Sequence, residues 1–557
     1  MRGISKTLYF GIILVVVVII AIIASTALLP PLQPSTPTTS PTTTPTPKEI
    51  ELFRIGYNVE PDTLDPHVAA GIHLPGYLVL HGTYLARDWR NGSLINYLAD
   101  AVWFEEEGKV VYIKLKPNLK FADGTPVNST AIKYTYERLL SKRAPVLGVF
   151  GQLERVEVVD ELTAKLVFTM PYGPVLLSLT WDFFTPLSPS YINIVGDANF
   201  GRKALSTGPF YVVEWRAGDY IIYERNQYYL RRPDIGGEGP VPIKRIMLKF
   251  IRDPAALVSA LLAGDVDLIP VPQELFSQLV ARNNTDIVVV TYPSSGHVQM
   301  IFNCEKWPFS DVKVRRAISI ILGGTDTRGD ISNILHNLVI PIWGPLHTTM
   351  IGYNPALEQY AKEQSYYNLP LSQRISKAQE LLKEAGWEDR DGDGILEYIN
   401  GTKFEFPLLF PMGVVSTEEA EYITGVLSRA GIKLNIETLE QAPAIPKIAM
   451  GDFYISFFAW GFEDPTILMM LFHSSFVRWT KFSSPELDNL LLQIATTVDP
   501  SKRQTYIDGA TKILIDNAPW IPLYQPVSAL AWRSEYTGIT INRYEGGVIL
   551  FELITKK

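Results

Sequence analysis

Apolar and polar residues separate sharply at the start of the chain. Residues 7–47 contain no charged side chain, and residues 8–29 are almost wholly apolar. A helix that crosses a bilayer needs about 20 such residues. Residues 35–47 contain only Ser, Thr and Pro, a composition that cannot form a buried core and stays extended. This pattern predicts a transmembrane helix, or a retained signal segment, over residues 1–32 and a stalk over residues 33–48.

The charges around the apolar segment predict its orientation. Arg2 and Lys6 precede it, and the next charged residue is Lys48. Basic residues stay on the cytoplasmic side, so the rest of the chain is expected to face outward from the cell membrane. A cleaved secretory signal is the alternative, but the apolar segment is longer than a usual signal core and no A-x-A site ends it. A third possibility is cleavage next to Gly3 with the apolar segment retained, because this start resembles archaeal class III signal peptides.

Beyond residue 48, the first half of the chain is dominated by strand-like alternation. A helix is predicted to begin near Asn128, which can cap it, and another runs from Asp253 to Gly264. Strands are predicted at residues 51–57, 110–116, 156–159, 163–168 and 267–269, with a hairpin over 210–225.

The second half alternates regularly between helix and strand patterns. Helices are predicted at residues 311–322, 373–385, 417–430, 485–496 and 500–516, and strands at 433–438 and 453–459. Such alternation is typical of an α/β domain, here over about residues 296–520. Strands return in the tail, at 520–524 and 548–554.

Composition excludes several classes of function. Without Arg2 and Lys6 the chain has 48 basic and 58 acidic residues, a net charge of −10, which argues against nucleic-acid binding. Cys304 is the only cysteine, so no internal disulfide and no cysteine-based metal site is expected. The seven histidines include no pair at the i, i+4 spacing of a helical metal site, and neither G-x-S-x-G nor H-E-x-x-H occurs. We therefore expect neither a cofactor nor an enzyme.

Six segments carry a family resemblance, and they occur in one order along the body. They are EPDTLDPH at 60–67, YIKLKPNLKFADGTPV at 112–127, STGPF at 206–210, ERN at 224–226, ALLAGDVD at 260–267 and FSDVKVRRAI at 309–318. Together they resemble the family 5 extracellular solute-binding proteins of ABC importers, which serve oligopeptides, dipeptides, nickel chelates and oligosaccharides.

The resemblance implies an α/β, two-lobed fold of the periplasmic-binding-protein type (class II) with an extra inserted domain. Lobe 1 would combine a discontinuous domain, residues 49–85, 204–295 and 521–557, with an inserted domain of residues 86–203. Lobe 2 would be residues 296–520. The ligand would lie between lobes that close by a hinge motion, and the partners would be the permease subunits of the importer. The protein is expected to act as a monomer.

The most informative candidate for the binding site is AWGFEDP at residues 459–465. In the family this stretch lines the cleft, and peptide binders place an aspartate shortly after the tryptophan to hold the peptide's amino terminus. Here that spacing is shortened. Trp460 and Phe462 are candidate ligand contacts, and either Glu463 or Asp464 substitutes for the anchor, or the anchor is missing. A core position for Trp460 is the alternative.

Other candidate contacts come from aromatic and polar residues elsewhere. Trp181 and Phe183 belong to an apolar loop at residues 179–185 that is expected to face the cleft. The remaining candidates are Trp343, His297 and Asn58.

Aromatic rings stack on sugars, whereas a peptide needs charged partners for its ends. The altered spacing after Trp460, the aromatic loop and the scarcity of basic residues near both favour an oligosaccharide slightly over an oligopeptide. The alternative function is a membrane-anchored extracellular hydrolase of peptides or glycans that uses carboxylates in the same cleft.

One motif falls outside this scheme. The sequence DRDGDG at residues 389–394 matches the start of a calcium-binding loop. Such a loop carries an acidic residue at its twelfth position, which here is Asn400. The simpler interpretation is a solvated hairpin turn, so no metal site is predicted.

Overall fold

The computed structural model describes residues 49–557, except 70–72, 149 and 238. The predicted transmembrane segment and the predicted stalk lie outside the described residues. In the described part of the chain, no helix is long and apolar enough to span a bilayer.

The body mixes strands and helices along its whole length. Its strands are β1 Ile50–Tyr57, β2 Leu85–Arg87, β3 Leu94–Asn96, β4 Ala99–Glu105, β5 Val110–Leu115, β6 Leu153–Val158, β7 Thr163–Phe168, β8 Phe210–Arg216, β9 Tyr220–Arg225, β10 Ile243–Phe250, β11 Leu268–Pro270, β12 Ile287–Pro293, β13 Gly296–Phe302, β14 Val339–Pro341, β15 Trp387–Glu388, β16 Glu397–Tyr398, β17 Glu405–Pro411, β18 Lys433–Leu439, β19 Ile455–Gly461, β20 Trp520–Arg533, β21 Tyr536–Thr537, β22 Ile541–Asn542, β23 Val548–Ile549 and β24 Thr555–Lys556.

The α-helices are α1 Leu74–Leu80, α2 Ser129–Lys142, α3 Val175–Ser178, α4 Pro189–Val195, α5 Pro254–Ala263, α6 Gln273–Ala281, α7 Val312–Leu322, α8 Thr325–Ile334, α9 Pro355–Gln364, α10 Leu371–Glu384, α11 Thr417–Ser428, α12 Gln441–Met450, α13 Ile467–Phe472, α14 Pro485–Thr496 and α15 Pro500–Asn517. Short 3-10 turns lie at Glu106–Gly108, Pro145–Gly148, Asp182–Phe184, Phe200–Arg202 and Phe551–Leu553.

Twelve strands form one continuous mixed sheet. Its order is β18-β17-β19-β13-β20-β11-β1-β10-β9-β8, and β12 and β14 also pair with β20. The half with β13, β14 and β17–β19 is called lobe 2 below. The half with β1 and β8–β12 is called lobe 1, together with a separate sheet of order β4-β5-β7-β6, on which α2 packs. This is the mixed α/β, two-lobed architecture that the sequence predicts.

Strand β20 is shared by both halves of the large sheet. Its residues 520–524 pair with β13, and residues 527–533 pair with β12. The chain also crosses between the halves at residues 293–296. There Ser294 donates its backbone N–H to the carbonyl of Pro526 at 2.9 Å, so the two crossings are hydrogen-bonded to each other. Only two adjacent crossings in this sheet join the lobes among the described residues, a geometry that suits a hinge.

The predicted helix starts are confirmed where a side chain caps them. The Asn128 and Asp253 side chains accept from the N–H groups of Ala131 and Ala256 at 3.1 and 2.7 Å. The strand predicted at 520–524 is wrong in length, because it continues to Arg533. The domain boundaries stay predictions.

Candidate functional site

The two lobes touch each other directly at the rim of the cleft. The ring of Trp181 in lobe 1 meets the ring of Phe462 in lobe 2 nearly edge-on, with 5.3 Å between the centroids. The backbone N–H of Gly173 donates to the carbonyl of Ala495 at 2.7 Å. The two lobes are therefore closed on one another at this point.

An apolar cavity lies beside this contact. It has a volume of about 290 Å³, and lobe 1 and lobe 2 both line it, with Phe150, Met170 and Tyr172 on one side and Phe462, Ile467 and Met469 on the other. A larger depression of about 1030 Å³ lies on the outer face of β8–β10 and includes charged residues such as Glu214 and Arg245. The apolar cavity is the one that adjoins the predicted site stretch.

Glu463 is the predicted site residue whose charge is least satisfied. Burial raises the pKa of its carboxyl to about 7, although the charge of Arg87 acts in the opposite direction. The nearby carboxylates of Glu545 and Asp182 raise this pKa further. No basic side chain of the described residues lies within ion-pair distance of Glu463. The carboxylate is thus placed to accept a cationic group from a ligand.

Asp464, next in the chain, has a different role. Its carboxylate is fully buried and bound at two points by the guanidinium of Arg503, and it also accepts from the backbone N–H and the hydroxyl of Thr466. These partners satisfy the carboxylate within lobe 2. Of the two candidate anchors, Glu463 is therefore the one without a basic partner among the described residues.

Trp460 packs within lobe 2 on at least one face. Strands β13 and β19 pair His297 with Trp460, and the two rings stack at 4.8 Å with an interplanar angle of 9°. His297 is fully buried, and burial lowers its pKa to about 4, so it is neutral at physiological pH. The indole Nε1 of Trp460 is buried and has no hydrogen-bond partner among the described residues.

Three further sequence candidates are not brought together with Glu463. The indole of Trp343 donates to the carbonyl of Gly323 at 2.5 Å, inside lobe 2. Phe183 packs against the core of the four-stranded sheet. Asn58 is exposed in the bend after β1.

Arg87, at the end of β2, is a candidate that the sequence analysis missed. Its side chain is buried, with 4% of the residue exposed. The guanidinium donates to the carbonyl oxygens of Gly92, Tyr544 and, across the cleft, Thr349, at 3.2, 2.8 and 3.4 Å. Among the described residues it forms no ion pair with a carboxylate. The guanidinium also lies over the ring of Tyr544, 5.1 Å from its centroid. A buried guanidinium whose hydrogen bonds all go to carbonyl oxygens retains the capacity to bind a carboxylate.

A buried charge network holds Arg87 in place. Arg232 donates to Glu545 Oε2 at 2.7 Å, and the other oxygen of Glu545 accepts from the backbone N–H of Arg87 at 2.6 Å. His81 lies 3.2 Å from Asp182 and 3.4 Å from Glu545. Burial alone would lower the pKa of His81, but these two carboxylates raise it to about 10. The network is formed by residues far apart in sequence, and no motif marks it.

Known proteins provide an independent comparison. The family model "Bacterial extracellular solute-binding proteins, family 5 Middle" matches residues 93–478, more than half of the chain. The probable D,D-dipeptide-binding periplasmic protein DdpA of Escherichia coli is 26% identical over 509 residues, 88% of this chain and 92% of the relative. The oligopeptide-binding protein AppA of Bacillus subtilis is 25% identical over 457 residues, 79% of this chain and 80% of the relative.

Solved structures agree on the fold. The structure of AppA from Bacillus subtilis in complex with a nonapeptide has a TM-score of 0.67 at 21% identity, covering 92% of this chain and all of that one. The order of motifs, the two lobes and the cleft between them fit the same assignment. The chain belongs to family 5 of the bacterial extracellular solute-binding proteins, and it is an extracytoplasmic solute-binding receptor of an ABC importer rather than an enzyme.

Proposed function

We propose that the cleft binds a short peptide, with Glu463 holding the ligand's ammonium group and Arg87 its carboxylate. The observation that carries this proposal is the pair of incompletely compensated charges on opposite lobes. The Glu463 carboxyl has its pKa raised to about 7, and the Arg87 guanidinium is buried without a carboxylate. A zwitterionic ligand supplies both missing partners at once.

Electrostatics favours a closed cleft with a zwitterionic ligand between Glu463 and Arg87 over a closed cleft without a ligand. Burying an unpaired charge is costly, and the cost is recovered only when an opposite charge with hydrogen bonds is provided. Glu463 and Arg87 are close enough to influence each other, since Arg87 lowers the pKa of Glu463, but they do not form an ion pair. A ligand that bridges them would also favour closure of the lobes.

The names of the two relatives described above point to the same ligand class. DdpA is named for D,D-dipeptides and AppA for oligopeptides. At about a quarter identity these names support the class of ligand and do not specify its sequence. The apolar cavity beside Phe462 offers space for one uncharged side chain of a peptide.

An oligosaccharide is the second candidate, which the sequence analysis favoured. The observation on its side is the buried Nε1 of Trp460, which lacks an acceptor. A sugar hydroxyl could accept from this group. However, His297 covers one face of the ring, so at most the other face is open to stacking. A neutral sugar would also leave Glu463 and Arg87 without partners of opposite charge.

We also propose that the first 47 residues tether this receptor to the outside of the cell membrane and that it works as a monomer. The charge pattern around residues 8–29 supports the tether. Thirteen stalk residues at about 3.1 Å each would give a reach of about 40 Å toward a permease.

Titration calorimetry on the full-length protein in mild detergent tests the ligand class. A panel of di- to octapeptides and a panel of neutral oligosaccharides are titrated into the wild type, Glu463→Gln and Arg87→Gln. Removing one partner of a buried charge pair costs about 2–5 kcal/mol, so either substitution should weaken peptide binding by that amount.

Exposed residues of the same type provide matched controls. Glu418→Gln and Arg429→Gln remove the same charges from the surface of lobe 2 and should leave peptide affinity unchanged. Tight binding of a neutral oligosaccharide that survives both Glu463→Gln and Arg87→Gln would reject the peptide proposal.

A further inference from the structure

The acidic loop at residues 389–394 lies outside the ligand cleft and has a geometry of its own. It connects β15 to β16, which pair Glu388 with Glu397 across a short hairpin in lobe 2. The loop places Asp389, Asp391 and Asp393 at alternate positions on an exposed surface. The receptor function described above does not use these residues.

Four carboxylates of this hairpin converge on one point. One ligand oxygen from each of Asp389, Asp391, Asp393 and Glu397 lies within 4.8 Å of all the others. Calcium binds oxygen at 2.3–2.6 Å, so two oxygens on the same ion can be at most about 5.2 Å apart. The spacing of the four oxygens is therefore compatible with a shared ion of that size.

Glu397 distinguishes this cluster from an ordinary solvated acidic turn. Its side chain is only 7% exposed, in contrast to the three exposed aspartates. Oxygen Oε2 accepts from the backbone N–H of Arg390 at 2.7 Å, whereas Oε1 is buried and has no hydrogen-bond partner among the described residues. A buried carboxylate oxygen without a hydrogen bond is costly, and Glu397 is one of the four residues of the converging set. This oxygen is therefore without a directly bound positive charge, since the ammonium of Lys403 lies 3.8 Å away.

The ammonium of Lys403 lies among these carboxylates. It donates to Asp391 Oδ2 at 3.2 Å and to Asp393 Oδ2, and it lies 3.8 Å from Glu397 Oε1. One ammonium contacts three of the four carboxylates, so the cluster keeps an excess of negative charge. The Lys403 side chain is 40% exposed and can move out to solvent when a stronger cation arrives.

We propose that this hairpin is a Ca²⁺ site, in which Asp389, Asp391, Asp393 and Glu397 bind the ion and Lys403 is displaced. Its buried carboxylate comes from the ninth position of the loop rather than the twelfth, which is Asn400. The ion fixes the hairpin against the core of lobe 2, because Trp387 next to the loop is buried in that core. Extracellular calcium modules bind with Kd values of about 0.1–1 mM, and we expect this range here.

Terbium luminescence and calorimetry on the full-length protein test this site. After removal of metal by EDTA, Ca²⁺ is titrated directly, and Tb³⁺ emission is excited through Trp387 and Tyr398 at the ends of the loop. The wild type should bind one Ca²⁺, and Ca²⁺ should compete away the Tb³⁺ signal. Saturating Ca²⁺ should raise the melting temperature by mass action.

Three variants locate the ion. Glu397→Gln and Asp391→Asn should weaken Ca²⁺ binding roughly tenfold or more, because affinity in such loops follows ligand charge. Lys403→Met should tighten it, since the competing ammonium is gone. Glu388→Gln is the matched control: Glu388 lies on the same hairpin but pairs with Lys383, and its loss should change nothing.

Two results would overturn the proposal. The first is an absence of binding to both the wild type and Lys403→Met at about 10 mM Ca²⁺, well above the expected range. The second is binding that Glu397→Gln and Asp391→Asn, shown to be folded by circular dichroism, leave unchanged. In that case the ion lies elsewhere on the protein.

Discussion

The carboxylate of Asp464 and the guanidinium of Arg503 form a buried two-point ion pair, with 2.6 and 2.8 Å between the paired oxygens and nitrogens. Because of this pair, the adjacent residues Glu463 and Asp464 have different roles. Asp464 fixes the start of α13 to α15 within lobe 2, and Glu463 is left facing lobe 1. The shortened spacing after Trp460 therefore preserves one carboxylate for the cleft.

The first prediction concerns this ion pair. Asp464→Asn leaves the buried Arg503 without its counter-charge and should lower the free energy of unfolding by about 3–5 kcal/mol. Urea unfolding followed by tryptophan fluorescence measures the change. Glu463→Gln, one residue away, should leave stability at pH 6 nearly unaltered, because the Glu463 carboxyl is already mostly protonated there. Equal destabilisation by both substitutions would contradict the division of roles.

The second prediction concerns pH. In the closed protein without ligand, burial raises the pKa of Glu463 to about 7, and a bound ammonium group favours the ionised carboxylate. Peptide affinity should therefore be greatest above pH 7 and fall as the pH decreases, approaching about tenfold per pH unit well below 7. Calorimetry between pH 5.5 and 8 measures this, and Glu463→Gln should remove the dependence. A wild-type affinity that is flat over this range would exclude Glu463 as the ammonium site.

The third prediction concerns the contact between the lobes. Trp181→Ala removes the edge-on contact with Phe462 and should destabilise the closed arrangement by roughly 0.5–1.5 kcal/mol, the usual value of an aromatic pair. Small-angle scattering should show a larger radius of gyration without ligand, and ligand affinity should fall accordingly. Trp103→Ala serves as a control, since Trp103 stacks on Tyr112 within one sheet. An identical effect of both substitutions would rule out a specific role for Trp181 in closure.

The fourth prediction concerns the tether. Expressed in full, the protein should fractionate with membranes and resist alkaline extraction, because residues 8–29 are long enough to cross a bilayer. A variant that lacks residues 1–47 should be released in soluble form and should keep its ligand affinity. Recovery of the full-length protein in the medium, with its start near Gln33, would show instead that the segment is a cleaved signal.

The elements predicted correctly are those with local signals. Helices α14 and α15 each begin with a proline that follows a capping residue: Ser484 accepts from the N–H of Leu487 and Asp499 from that of Lys502. The hairpin of β8 and β9 turns at Gly218. Local capping and turn chemistry depend on neighbouring residues alone, so they can be read from one sequence.

The elements that the sequence patterns did not predict depend on contacts between residues that are distant in the sequence. Helix α12 contains Pro446, and strand β20 contains Pro522 and Pro526, which interrupt the usual patterns. Strand β20 extends over 14 residues because β12 and β13 pair with its two ends. Arg87 could not be found for a related reason: arginine is normally exposed, and only the folded chain shows that Tyr544 and Glu545 enclose this one.

The central claim is that Glu463 and Arg87 bind the two charged ends of a peptide, and modified peptides test it most directly. Titration calorimetry compares one tight-binding peptide with its N-acetylated and C-amidated forms on the wild type, Glu463→Gln and Arg87→Gln. The wild type should lose about 2–5 kcal/mol of binding free energy with either modification. Glu463→Gln should be insensitive to acetylation alone, and Arg87→Gln to amidation alone. The claim would be contradicted if acetylation weakened binding to Glu463→Gln as much as to the wild type, and amidation weakened binding to Arg87→Gln as much as to the wild type. The losses from substitution and modification would then be additive.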